Sequence, residues 1–202
     1  AVGKKIASGD MPIVGGLPWF AFAEPYVTQN VTVGDMYAHR SGLPDHAGYK
    51  LEDMGYSRTE VLRRMRFMPL DPFRISYAYT NFGFTAGAEA VAAKAGKDWP
   101  TLSRDLIYGP LGMASTSSRH ADFVARPDRA VGHIRVDDEW VRSDIPRQPD
   151  PQAPAGGVSS NVDDMATWLK MVLAQGRHDG NQVVEPEALL PAMTPQVGSN
   201  PP

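Results

Sequence analysis

The sequence predicts a helix-rich α+β fold, and three observations support this class. About six segments show the apolar spacing of amphipathic helices. Only Val131 to Arg142 has the alternating pattern and central turn, Asp137-Asp138-Glu139, of a β-hairpin. Strand and helix patterns do not alternate, and no P-loop or GxGxxG motif is present. A parallel nucleotide-binding sheet is therefore not expected.

Composition and charge exclude several classes of partner. The chain of 202 residues is 42% hydrophobic and has a formal net charge of −3, which argues against nucleic acid or an anionic membrane as the main partner. The longest apolar run, Leu17 to Ala23, is too short to span a bilayer. Without cysteine the chain has no disulfides and no thiolate metal site. The histidines show no metal-ligand spacing, so neither a metal nor another cofactor is expected.

The first elements follow from capping and turn residues. Ala1 to Ala7 has the pattern of the end of an amphipathic helix. Residues 10–31 are rich in proline, glycine and aromatic residues, which predicts an extended but packed connection. Thr32 is expected to cap a short helix over Val33 to His39. The capping box Ser57-Arg58-Thr59-Glu60 then predicts the start of another helix.

The second half of the chain predicts further helices. One of small residues is expected from about Phe82 to Ala95, and Asp98 is expected to cap the next. The strongest helix signal follows Ser160 or Asn161. One apolar stripe marks that helix: Met165, Trp168, Leu169, Val172 and Leu173. A last short helix is expected near Pro186.

The tripeptide Tyr79-Thr80-Asn81 carries the candidate chemistry. In an extended segment residues i and i+2 point the same way, so Tyr79 and Asn81 can face one cleft. A phenol becomes a useful base only beside an ammonium group, and an asparagine can both donate to a substrate and accept from a lysine. The alternative is a core tyrosine followed by Asn81 as a helix cap. Chance alone gives about 0.17 Tyr-x-Asn matches in such a composition, so neighbouring motifs must decide.

Four blocks of the sequence resemble motifs of the serine β-lactamase-like superfamily, which includes class C β-lactamases, penicillin-binding proteins, esterases and D-aminopeptidases. They occur in family order over roughly residues 31–176. The blocks are Val31 to Pro44 (similar to ITVRDLLTHTSGLP), Tyr79 to Phe84 (similar to YSNxGY), Gly109 to Thr116 (similar to PLGMxxT) and Ala155 to Met165 (similar to AGGxxSTxxDM).

This resemblance implies an antiparallel sheet flanked by helices plus a mostly helical domain. The chain would then be an internal fragment, a partial domain in which residues 10–130 are mostly the helical part and residues 131–202 return towards the sheet. Such enzymes use a Ser-x-x-Lys motif, but no lysine here has a serine three residues before it, and no Lys-Thr-Gly-like strand occurs. The nucleophile is expected upstream of Ala1 and the third motif beyond Pro202.

The resemblance also implies a function. Tyr79 would be the general base or proton relay of a serine hydrolase that forms an acyl-enzyme, and Asn81 would orient the substrate and the lysine. The substrate would be a small molecule or peptide: a β-lactam, a D-amino-acid peptide or an ester. His46 follows the first block and is a possible substrate-binding residue, with a solvated loop histidine as the alternative. Many relatives act outside the cytoplasm, which favours a periplasmic or secreted protein. A non-catalytic relative serving as a binding or structural module is the second hypothesis.

Overall fold

Short helices connected by tight turns make up most of the computed structural model, which describes residues 4–143 and 147–198. Within these residues the helices are α1 (Pro25–Asn30), α2 (Val33–Tyr37), α3 (Tyr49–Asp53), α4 (Arg58–Arg64), α5 (Asn81–Lys94), α6 (Trp99–Ser103), α7 (His120–Val124), α8 (Ala153–Gly156), α9 (Val162–Leu173) and α10 (Pro186–Leu189). A π-helical segment, Arg104–Tyr108, directly continues α6.

Two antiparallel hairpins provide the described strands. β1 (His133–Val136) pairs with β2 (Glu139–Arg142), and β3 (Arg177–His178) pairs with β4 (Asn181–Gln182). The first hairpin lies where the alternating pattern predicts it, and its turn uses Asp137 and Asp138 in left-handed conformations. The predicted helix-rich α+β class is therefore confirmed.

The main core surrounds α5. Phe82, Ala86 and Ala90 on this helix have no exposed surface and pack with Ile13 and Phe20 of the N-terminal region. Small residues let other elements approach closely: a Cβ added to Gly87 would lie 3.1 Å from Cβ of Met36 in α2. The small residues of α5 thus allow α2 to pack closely against it. This packing is relevant to the site because α5 begins directly after Tyr79-Thr80.

Gly16 gives a direct test of this packing. A Cβ at Gly16 would lie 2.2 Å from the backbone oxygen of Ala90, whereas a Cβ at the adjacent Gly15 meets nothing closer than Met11 Cγ at 3.6 Å. Gly16→Ala is therefore expected to lower the free energy of unfolding by about 1–3 kcal/mol. Urea denaturation measures this, with Gly15→Ala as the matched control expected to change stability by less than about 0.5 kcal/mol. Equal effects of the two variants would contradict the close approach of residues 16 and 90.

Side-chain caps confirm most of the predicted helix starts. Thr32 and Ser57 each form a reciprocal capping box, with Asp35 and Glu60, at the starts of α2 and α4. Asp98 caps α6 by accepting from Thr101 N–H, and Asn161 caps α9 by accepting from Asp164 N–H. In each case the side chain of the cap accepts from the backbone N–H three residues later, so a short sequence pattern is enough to find these caps.

One alternative and two predictions need correction. The alternative in which Asn81 caps α5 is wrong, because the Thr80 hydroxyl accepts from Gly83 N–H and Asn81 is the first helical residue. Residues 10–31 are packed, with Phe20 and Phe22 buried, but they contain α1 as well as extended chain, because Pro25 suits the first turn of a helix. Residues 4–7 form a turn and bend rather than the end of a helix, while Ala1 to Gly3 lie outside the described residues.

Four of the five residues in the predicted apolar stripe of α9 are exposed, while Val172 is half-buried and packs with Leu111 and Met171. Leu169 and Leu173 have 51% and 82% of their surface exposed. Trp140, in β2, is also an exposed apolar residue, with 70% of its surface accessible. Met171, on another side of the helix, is the buried residue of α9 and packs with Leu111. No helix in the described ranges is long and apolar enough to cross a membrane.

Candidate active site

Backbone hydrogen bonds hold the segment around Tyr79 from both sides. On one side, Ala78 N–H donates to the carbonyl oxygen of His39 over 2.9 Å. On the other, the carbonyl oxygen of Tyr79 accepts from His46 N–H over 2.8 Å. Tyr79 thus lies between two parts of the loop that follows α2, and its backbone is fixed although its side chain is 41% exposed.

Thr80 separates Tyr79 from Asn81 and is buried. Its backbone is extended, with φ −147° and ψ 116°, and the side chains on either side of an extended residue are expected to point the same way. The Thr80 hydroxyl accepts from Gly83 N–H at 3.2 Å and donates to the carbonyl oxygen of Ala47 at 3.4 Å. Thr80 therefore anchors the tripeptide in the core, while the phenol of Tyr79 remains accessible and Asn81 is half-buried.

His46 lies beside Tyr79. The centroids of the two rings are 5.9 Å apart, and the His46 ring is also perpendicular to the Tyr49 ring at a centroid distance of 4.9 Å. His46 Nδ1 lies 2.6 Å from Asp45 Oδ2, and the His46 side chain is 56% exposed. The structure therefore brings the candidate substrate-side histidine and Tyr79 together, while the exposure of His46 is equally that of a solvated loop residue.

His39 is a residue of this cluster that the sequence did not single out. Its Nδ1 accepts from Thr80 N–H at 3.2 Å, and its ring lies 4.8 Å from the Tyr79 ring. Burial lowers the pKa of His39, and the nearby Asp45 carboxylate opposes this only in part. The available signal was its place in the block Val31 to Pro44, two residues before Ser41.

A buried carboxylate supports the same loop. Asp35 accepts from Arg40 Nε at 2.8 Å and from Arg74 Nη2 at 2.8 Å, and its side chain is 1% exposed. Arg74 has a left-handed backbone, and its N–H donates to the carbonyl oxygen of Arg40 at 3.0 Å. Asp35 therefore ties α2 to the segment that leads into Tyr79.

The two serines within the family-like blocks have local roles. The Ser41 hydroxyl accepts from Leu43 N–H at 3.3 Å in a turn, and the Ser159 hydroxyl donates to the carbonyl oxygen of Ser117 at 3.4 Å. The described residues contain no group of three or more histidine, aspartate or glutamate side chains placed to hold a metal ion.

Comparison with known proteins decides the family. The profile of the family described as beta-lactamase matches residues 6–201, nearly the whole chain. The chain belongs to the beta-lactamase family. The resemblance of the four sequence blocks is thereby confirmed.

Individual relatives extend this result. The chain is 28% identical to an unguisins hydrolase of Aspergillus violaceofuscus over 163 residues. The match covers 76% of this chain and 29% of that relative. A class C beta-lactamase of Rhodobacter sphaeroides is similar in structure, with a TM-score of 0.66 and 25% identity, covering 94% of this chain and 50% of that one. A D-stereospecific amidohydrolase of Streptomyces shares the fold at a TM-score of 0.76 and 15% identity, with 94% and 58% covered.

These coverages set the scale of the chain. It spans about three tenths of the length of the curated relative and about half of each of the two solved structures. The β-lactamase/transpeptidase-like fold predicted from the sequence is confirmed for the part of it that these residues form.

Proposed function

We propose that the protein containing this domain is a serine hydrolase that acts through an acyl-enzyme, with Tyr79 as general base or proton relay. One observation carries the proposal: in a chain of the beta-lactamase family, Tyr79 is partly exposed while backbone hydrogen bonds from His46 and to His39 hold its segment. A fixed backbone with an exposed functional group is the arrangement that proton transfer requires, because the acceptor must stay within hydrogen-bond reach.

The phenol needs partners from outside these residues. A tyrosine with a reference pKa of about 10 is a weak base at neutral pH unless a nearby ammonium stabilises the phenolate. No lysine of the chain follows a serine at the Ser-x-x-Lys spacing, and no Lys-Thr-Gly-like strand occurs. We therefore assign the serine, the lysine and that strand to the remainder of the protein.

With those partners the reaction balances simply. Tyr79 takes the proton of the serine hydroxyl as the oxygen attacks the substrate carbonyl, and the proton passes to the leaving group when the carbon–nitrogen or carbon–oxygen bond breaks. Water then hydrolyses the acyl ester. Asn81 would donate its amide N–H to the substrate and accept from the lysine, and His46 would contact the substrate at the rim.

A carbonyl compound of modest size is the substrate that fits this chemistry. An unguisins hydrolase and a class C beta-lactamase are among the relatives, which supports a substrate that is hydrolysed, such as a β-lactam. We propose a D-amino-acid peptide or an ester as the alternatives. We also propose that residues 10–130 form mostly the helical part of the domain and that residues 131–202 return towards the sheet part. The exposed residues of α9, such as Leu169 and Leu173, would then be an apolar face for further sheet in the complete protein.

The test compares two proteins: one expressed from the complete coding sequence and the 202-residue chain. We expect the complete protein to turn over nitrocefin or a p-nitrophenyl ester with a burst of product and a covalent acyl adduct detectable by mass spectrometry. The shorter chain, of 22.0 kDa, should show neither. Turnover by the shorter chain would contradict the external nucleophile. A complete protein with neither turnover nor adduct would instead support a non-catalytic binding or structural module.

A further inference from the structure

His39 contacts the backbone on both sides of Tyr79. Its carbonyl oxygen accepts from Ala78 N–H at 2.9 Å, and its side-chain Nδ1 accepts from Thr80 N–H at 3.2 Å. Its ring also packs against the Tyr79 ring at 4.8 Å, with 40° between the planes. One residue thus binds the N–H of Ala78 before Tyr79 and the N–H of Thr80 after it, and its ring packs against the phenol ring.

The bond to Thr80 N–H depends on the protonation state of His39. A backbone N–H is always a donor, so Nδ1 must offer a lone pair. Only the neutral imidazole with its proton on Nε2 satisfies this requirement, because both ring nitrogens are donors in the imidazolium. Protonation of His39 would set two donors against each other and leave the N–H of the buried Thr80 without its acceptor.

We propose that His39 is a positioning residue for Tyr79: its neutral form holds the Tyr79 segment in place, and protonation releases that segment. The inference rests on the proposed function, because it assigns to His39 the task of keeping the Tyr79 phenol aligned. It adds a histidine, acting through the backbone, to a site whose other proposed members act through side chains.

The groups around His39 determine the pH range in which it becomes protonated, and that range lies below pH 7. Tyr77 and Tyr79 of the following segment face its ring, and Phe84 of α5 lies 6.3 Å away. Burial lowers the pKa of His39, and the Asp45 carboxylate raises it less. Because the folded-state pKa is lowered, the neutral form predominates at pH 7. Its contribution is complete above the ordinary histidine value of about 6.5 and is lost as pH falls through the lower folded-state value.

Two substitutions separate the acceptor from the rest of the side chain. His39 has φ +55°, a conformation that asparagine and glycine both tolerate. His39→Asn keeps an oxygen acceptor near the position of Nδ1 but does not titrate, whereas His39→Gly removes the acceptor. Both remove the ring, so the difference between them reports the bond to Thr80 N–H. Circular dichroism checks that both variants fold.

The experiment measures kcat/KM from pH 4.5 to 8 in the protein expressed from the complete coding sequence. For the unsubstituted protein we expect a fall on the acid side to which both the general base and His39 contribute. In His39→Asn only the fall caused by protonation of the general base should remain, so the acid limb should be less steep. His39→Gly should be about 3- to 10-fold below His39→Asn at pH 7.5, the size of one hydrogen bond. An acid limb in His39→Asn that is identical to that of the unsubstituted protein, or equal rates for the two variants, would overturn the proposal.

An NMR titration decides the same point without relying on activity. The Thr80 amide, labelled with ¹⁵N-threonine and assigned with Thr80→Ser, should shift with the same midpoint as the His39 ring nitrogens. A Thr80 amide that does not change while His39 titrates would overturn the inference even in an active enzyme. Failure of the proposed function has a different signature, namely a normal Thr80 titration together with unchanged acylation in Tyr79→Phe.

Discussion

Tyr79→Phe is expected to slow acylation by roughly 10²- to 10⁴-fold, the usual contribution of a positioned acid–base group. The substitution removes the phenol oxygen and keeps the ring, so the 4.8 Å contact with His39 and the backbone bonds of the segment should persist. The loss should appear in kcat/KM and in the rate of the product burst, measured with a p-nitrophenyl ester in the protein expressed from the complete coding sequence.

Tyr77→Phe is the matched control for this prediction. Tyr77 lies two residues earlier on the same segment and is 37% exposed, and its ring centroid lies 5.7 Å from that of His39 with the two planes at 72°. Because it also loses a single phenol oxygen, it should reproduce any general effect on the loop without the loss of proton transfer. Rates for Tyr79→Phe within twofold of those for Tyr77→Phe would show that Tyr79 is only a packing residue.

Local rules explain which parts of the fold the sequence predicts well. The caps of α2, α4 and α9 join residues three positions apart, so each is visible as a short pattern. The same local pattern does not show that Thr80 rather than Asn81 is the cap of α5. Both residue types are good caps, and the burial of Thr80 against Ala47, 33 residues away, decides between them.

Long-range contacts explain why the sequence analysis does not predict His39 as part of the site. Tyr79 and Asn81 are recognisable because they are two residues apart and match a family block. The role of His39 depends on a bond to Thr80 across 41 residues of chain, and no spacing rule predicts such a pair. The exposure of the α9 stripe is likewise a matter of which other residues surround it, so the pattern predicts the helix but not its burial.

The buried Asp35 is the second residue for which a large effect is expected. Its Oδ2 accepts from the backbone N–H and the hydroxyl of Thr32, each at 3.0 Å, and from Arg74, while Oδ1 accepts from Arg40. Burial alone would raise the pKa of Asp35, but the hydrogen bonds from Arg74, Thr32 and Arg40 outweigh it and hold the pKa below its usual value. The ionised form therefore stabilises the fold.

Asp35→Asn is expected to lower the free energy of unfolding at pH 7 by about 2–4 kcal/mol. The amide would turn one of its own donors towards an arginine or towards Thr32, leaving buried groups unpaired. Arg40 and Arg74 are 31% and 45% exposed, so water can solvate them in part and limits the loss. Urea denaturation measures the effect, and acylation should also slow because the segment from Arg74 to Tyr79 is no longer tied to α2.

The exposed counterpart Asp98→Asn tests whether burial is the reason. Asp98 also caps a helix and pairs with an arginine, Arg119, but its side chain is 53% exposed, and asparagine caps equally well. Its expected cost is therefore below about 1 kcal/mol.

The lowered pKa of Asp35 means that its contribution is complete above the unfolded value of about 3.9 and is lost as pH falls through the folded value. The stability difference between Asp35→Asn and the unsubstituted protein should thus be constant from pH 5 to 7 and shrink at lower pH. A difference that does not change down to pH 2 would mean that the charge of Asp35 does not stabilise the loop that holds Tyr79.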